Sequence, residues 1–141
     1  MTLTLDTADA LVRVARKKAE ATGVAVCVAV LDQGGHLTAF ARMDRAWLGA
    51  LDVSIRKAKS SVLFEAETQM IWEVCKPGAQ AHGLEQTNGG LVTFAGGIPL
   101  KGPDGLVVGA IGVSGGEVAQ DYVVAQAGAA AFAAWQKGER T

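Results

Sequence analysis

The sequence predicts an α+β fold, a five-stranded antiparallel sheet flanked by helices, and three observations carry that prediction. Two short segments, Val24–Leu31 and Leu106–Val113, are apolar on both faces, as central strands are. Glycine-bearing turns separate strand-like runs closely enough for hairpins. The chain also opens on a one-sided helical pattern and closes on a long alanine-packed segment.

From Thr4 to about Thr22, Ala8, Leu11, Val12, Ala15 and Ala19 follow the spacing of one helix face, and Gly23 stops the helix. "VAVCVAVLD" is the first strand, and "DQGG" (Asp32–Gly35) turns the chain into a second, His36–Asp44. That strand alternates Leu37, Ala39, Ala41 and Met43 against His36, Thr38, Phe40, Arg42 and Asp44, so it belongs at an edge. A helix is expected from about Leu48 to Phe64, with further helical turns over Glu65–Cys75 ended by Lys76-Pro77-Gly78. Leu91–Phe94 and Ile98–Lys101 then read as strands, "GPDG" as a turn, Leu106–Ser114 as the last strand and Glu117–Trp135 as the last helix. The order α-β-β-α-β-β-β-α with hairpin connections gives a sheet of order 2-1-5-4-3. Small residues on the last helix, among them Ala125, Gly128 and Ala129, suit close packing on the sheet and against a second subunit.

The 141 residues are one domain's worth of chain, read as a single domain over 1–141. A formal charge of −1 argues against a dedicated nucleic-acid binder. No apolar run approaches the length that spans a bilayer, so no membrane partner is expected. The start lacks a basic segment followed by an apolar one, and Cys27 and Cys75 have no metal-binding spacing. A reduced, cytoplasmic protein is the expectation.

Three stretches, "VLDQGGHLTAFARMD", "IRKAKSS" and "HGLEQTNGGLVTFAGGIPLKGPDGLVVGAIGVSGGEVAQD", resemble the GlcG/HbpS family, which is also similar to the C-terminal module of PduO-type cobalamin adenosyltransferases. The resemblance covers nearly the whole chain and implies a profilin-like fold. It also implies haem binding or haem handling, or alternatively a place in small-acid catabolism with muconate-like acids among the compounds handled. A homo-oligomer built from dimers, an octamer foremost, is implied as well.

Asn88–Gly105 holds six glycines in eighteen residues. Gly89-Gly90 and Gly96-Gly97 bracket a short apolar run, which suggests a backbone folded tightly beside a pocket. Ser114-Gly115-Gly116-Glu117 opens the last helix: Ser114 and Glu117 fit a capping box, and the glycines leave N–H groups open to an anion. Arg42 suits a substrate carboxylate or a haem propionate, or else a surface pair with Asp44. Lys57 is a ligand candidate or a solvated face charge. His82 is open to three readings, as axial haem ligand (the one metal role considered), general acid–base or plain loop residue. Glu85 is a candidate acid or base in an apolar pocket, and Asn88 either contacts a ligand or holds the turn that follows it.

Two function classes follow. In the first, a haem- or small-ligand-binding protein uses His82 on the iron and Arg42 or a lysine on the propionates, with Phe40, Phe94, Trp47 and Trp72 as the available aromatics. In the second, a cofactor-independent tautomerase, deaminase or lyase anchors a small carboxylic acid on Arg42 and the helix start while His82 or Glu85 moves a proton. A non-catalytic oligomeric scaffold is a third reading.

Overall fold

The structure, a computed structural model, describes residues 2–138. In chain order the elements are α1 (Leu5–Thr22), β1 (Cys27–Asp32), β2 (Leu37–Arg42), α2 (Gly49–Phe64), α3 (Thr68–Cys75), a 3-10 turn (Leu84–Gln86), β3 (Gly97–Lys101), β4 (Val107–Ser114) and α4 (Val118–Gln136).

Helix α1 begins where the Thr4 hydroxyl accepts the Thr7 N–H, and it ends at Gly23, whose left-handed φ of 81° lets its own N–H reach the carbonyls of Ala19 and Glu20. The β1–β2 turn is held by Asp32, whose Oδ1 accepts the N–H groups of Gly34 and His36. Strands β1 and β4 pair centrally, with Cys27 opposite Ser114 and Val30 opposite Ile111.

The sheet has four strands in the order β2-β1-β4-β3, which corrects the expectation of five. Leu91–Phe94 is not a strand, because its backbone bonds elsewhere. Leu91 N–H donates to the Glu85 carbonyl and Val92 N–H to the Ser60 hydroxyl. Leu91 and Thr93 are nevertheless buried, so this short run is held by burial and by the Val92–Ser60 bond to α2, not by ladder pairing.

Helices α1 and α4 share a core with Val26, Val28, Val30, Ile111 and Val113. Helix α2 covers the other face, over Ala29, Leu31 and Ala110. That face is built for close approach. A Cβ at Gly112 would sit 2.1 Å from the Ser54 carbonyl oxygen, and one at Gly97 would sit 2.4 Å from that of Lys57. The backbone of α2 therefore lies directly on the sheet.

Helix α4 is capped three residues later than the sequence suggests. Its N-cap is Glu117, and Gln120 Oε1 accepts the Glu117 N–H at 2.9 Å. Ser114 remains the last residue of β4, fixed by pairing with Cys27, and so cannot cap the helix.

Candidate functional site

The most unusual group in the molecule is a cation inside it. On α2, Ser54, Lys57, Ala58 and Ser61 are among the buried residues and share one helical face, and Lys57 has no solvent exposure. Its Nζ donates to the Val113 carbonyl at 2.8 Å and to Asp121 Oδ2 at 3.0 Å, and lies 4.9 Å from the centre of the Phe94 ring. Room for the ammonium depends on Gly96, where a Cβ would approach Nζ to 2.6 Å.

Asp121 sits in the first turn of α4, and its Oδ1 accepts the Gly116 N–H at 2.9 Å. Burial pushes the Lys57 ammonium below the ordinary lysine range, and the Asp121 charge opposes that shift. Burial likewise pushes the Asp121 carboxyl up, opposed by Lys57 and by the Gly116 and Gly115 amides.

Asp121 forms part of the lining of a cleft of about 350 Å³ walled by Trp47, Phe94 and Val118 over the Gly115-Gly116 turn. Trp47 is 75% exposed and Phe94 47%, so the walls are apolar surface facing solvent. Trp47 and the two glycines also border an adjoining cleft that contains Arg45, Glu117 and Gln120. Arg45 is held at a left-handed φ of 71°, uncommon for a residue with a side chain. On the far side of Phe94, Gln69, Trp72 and Thr93 line a third cleft.

These neighbours differ from those the sequence suggested. Arg42 is exposed at the end of β2 and borders a cleft with Arg16, Glu20 and Asp44, not the one over Gly115-Gly116. The arginine that shares a cleft with those glycines is Arg45. The amides expected to be open are already taken: Gly116 N–H by Asp121 and Glu117 N–H by Gln120. His82 is exposed in the loop after α3, and Glu85 lies in the 3-10 turn beside the buried Cys75 thiol; neither lines the Trp47–Phe94 cleft. Phe40 packs beneath α2 with Ala29 and Leu31.

Nor do the glycine pairs face a ligand first. Asn88, Gly89 and Gly90 all have positive φ, turning their carbonyls onto α2. Lys59 Nζ donates to the Asn88 carbonyl at 2.9 Å, and Arg56 Nη1 donates to the carbonyls of Gly89 and Gly90. Gly96 and Gly97 lie against Lys57. The close approach these glycines permit is made by the chain's own helix.

Asp121 and Arg45 were not among the site residues read from the sequence, whereas Trp47 was named there among the aromatics available to a haem. The signal available for Asp121 was the single acid of the helix Val118–Gln136, in its first turn and five residues after Gly116.

Comparison with known proteins places this site in context. The chain is 37% identical over 126 residues to an uncharacterised 15.0 kDa protein of Citrobacter freundii from the dhaT-dhaS intergenic region, covering 89% of this chain and 88% of that one. It is 37% identical over 123 residues to the corrinoid adenosyltransferase PduO of Salmonella typhimurium, covering 86% of this chain but 36% of that protein's length. A crystal structure of a PduOC–haem complex superposes with a TM-score of 0.87 at 35% identity, over 92% of this chain and 94% of that one. Residues 3–130 match the model of the family described as haem degrading protein HbpS-like, and the chain belongs to that family.

Proposed function

We propose that this protein binds haem, or a comparably flat apolar ligand with an acidic edge, in the cleft between Trp47 and Phe94. The observation that carries the reading is two exposed aromatic walls set over the side-chain-free Gly115-Gly116 turn, with Arg45 bordering the adjoining cleft. Apolar walls favour a porphyrin face, and a cation beside them favours its propionates. The haem complex of a relative supports the same reading. The fit is to the ring and its acid edge. Neither His36 nor His82 lines the cleft, so iron ligation by histidine would not come from these walls.

Titration of the purified protein with haem tests this. A saturable change in the Soret band is expected, weakened at least about tenfold in Trp47→Ala, because losing the burial of a large aromatic surface costs more than about 1.4 kcal/mol. No change in the band, or equal affinity in the variant, would overturn the proposal.

Supporting a homo-oligomer assembled from dimers, with an octamer as the expected form, Leu48, Met70, Val74 and Leu106 are exposed apolar side chains in addition to the cleft walls. Light scattering on the purified protein measures its mass directly. Among the described residues no helix is long and apolar enough to cross a membrane. Two buried, unpaired cysteines accord with a reducing, cytoplasmic location.

A second reading, cofactor-independent chemistry on a small carbonyl acid, is favoured by one observation: a buried carboxylate in the lining of the same cleft.

A further inference from the structure

We infer that Asp121 is a proton-transfer group acting on small enolisable carbonyl acids in the Trp47–Phe94 cleft, with Lys57 as the residue that positions it. This rests on the second reading above and does not require haem to occupy the cleft.

The two members of the pair are not equivalent. Lys57 is fully buried, and its ammonium hydrogens are directed to the Val113 carbonyl and Asp121, beneath the face of Phe94. It has no path to a ligand. Asp121 does line the cleft. A carboxylate offers roughly four lone-pair positions, and the Gly116 and Gly115 amides with Lys57 Nζ occupy only part of that capacity. An oxygen of Asp121 therefore keeps acceptor capacity beside an apolar space.

As a stability device the pair is poor, since well-packed apolar side chains in place of a buried ion pair are commonly as stable or more so. As a proton acceptor the arrangement is apt. The walls formed by Trp47, Phe94 and Val118 reduce water contact and raise carboxylate basicity, while Lys57 and the Gly116 amide fix the rotamer and oppose part of that rise. Arg45 lies in the adjoining cleft, where it can receive the substrate carboxylate.

The step balances without a co-reactant. An Asp121 oxygen removes a proton from the carbon next to the carbonyl. The C–H electron pair becomes the C=C bond of the enolate, and the negative charge moves to the carbonyl oxygen. Asp121 then returns the proton to that oxygen, to the same carbon or to a conjugated carbon, giving tautomerisation or exchange.

Phenylpyruvate is a suitable probe: a flat aromatic body with an enolisable methylene and a carboxylate. In D₂O, without haem, the proton NMR signal of the methylene should disappear about 100-fold or more faster with the protein than in buffer. Asp121→Asn should return the rate to that of buffer. Lys57→Met should slow exchange and move the acid limb of the rate–pH profile upward, a change that a purely structural lysine would not cause in the folded variant. Should Asp121→Asn fail to fold, the profile of the unmodified protein decides: a rate rising through one ionisation supports Asp121, and a flat profile overturns it. Exchange no faster than buffer, or an Asp121→Asn rate equal to wild type, also overturns it. Haem titration of the same samples separates this outcome from the binding proposal, since either can fail alone.

Discussion

Lys57 Nζ stands 3.0 Å from Asp121 Oδ2 with both side chains withdrawn from water, joining α2 to the first turn of α4 beside the end of β4. Removing one partner strands the other. Lys57→Met should therefore lower unfolding stability by about 3–5 kcal/mol, read from urea denaturation. The double variant Lys57→Met/Asp121→Leu should regain most of that loss. A double variant as unstable as the single one would mean that the pair is itself a net stabiliser.

The same pair predicts a pH dependence of stability. Burial holds the folded Asp121 carboxyl above its unfolded value, so its contribution is fully present below the ordinary carboxylate range and is lost as pH rises through the folded value. Lys57 opposes that shift in the intact protein. Without it the carboxyl rises further, and the Tm of Lys57→Met should fall progressively from acid toward neutral pH. The Lys57→Met/Asp121→Leu protein, having no carboxyl there, should lack this slope. Parallel slopes in the two variants would refute the assignment.

Glycine substitutions should grade by what a Cβ meets. At Gly112 it meets the backbone of Ser54 and Ala58, which can yield only if α2 lifts from the sheet, so Gly112→Ala should cost about 3 kcal/mol or more. At Gly90 it meets the movable tip of Arg56, but the left-handed φ of 103° adds strain, and about 1–2 kcal/mol is expected. Gly49 opens α2 with nothing nearby, so Gly49→Ala should be neutral or stabilising by up to about 1 kcal/mol. Thermal melts of the three variants give the order directly.

Much of this architecture was legible because the local signals were strong. Gly23 ends α1, Asp32-Gln33-Gly34-Gly35 makes the first hairpin, and the doubly apolar runs are the central strands. What failed did so for lack of a local signal. The run Leu91–Phe94, read as a strand, does bury Leu91 and Thr93, yet pairing partners are not encoded in burial. Lys57 shares a periodic face with Ser54, Ala58 and Ser61, but three of those four residues are polar, so hydrophobic periodicity passes over it. Its partner lies 64 residues away, and only the tertiary fold brings them together.

The choice between the two arginines near the end of β2 was likewise beyond local rules. Alternation puts Arg42 on the polar side of an edge strand, and the structure leaves it exposed there. Arg45 borders the Gly115-Gly116 cleft from a left-handed backbone, a conformation with no strong sequence signal for arginine. A charge-assisted contact to a propionate or carboxylate contributes about 1.5–3 kcal/mol. Arg45→Ala should therefore weaken haem binding by roughly 10- to 100-fold, with the loss shrinking at high salt as the unmodified protein's electrostatic advantage is screened. Arg42→Ala, outside that cleft, should leave the affinity unchanged. The reverse pattern in spectral titrations would mean that the ligand sits against β2, and the Trp47–Phe94 cleft would lose its claim to it.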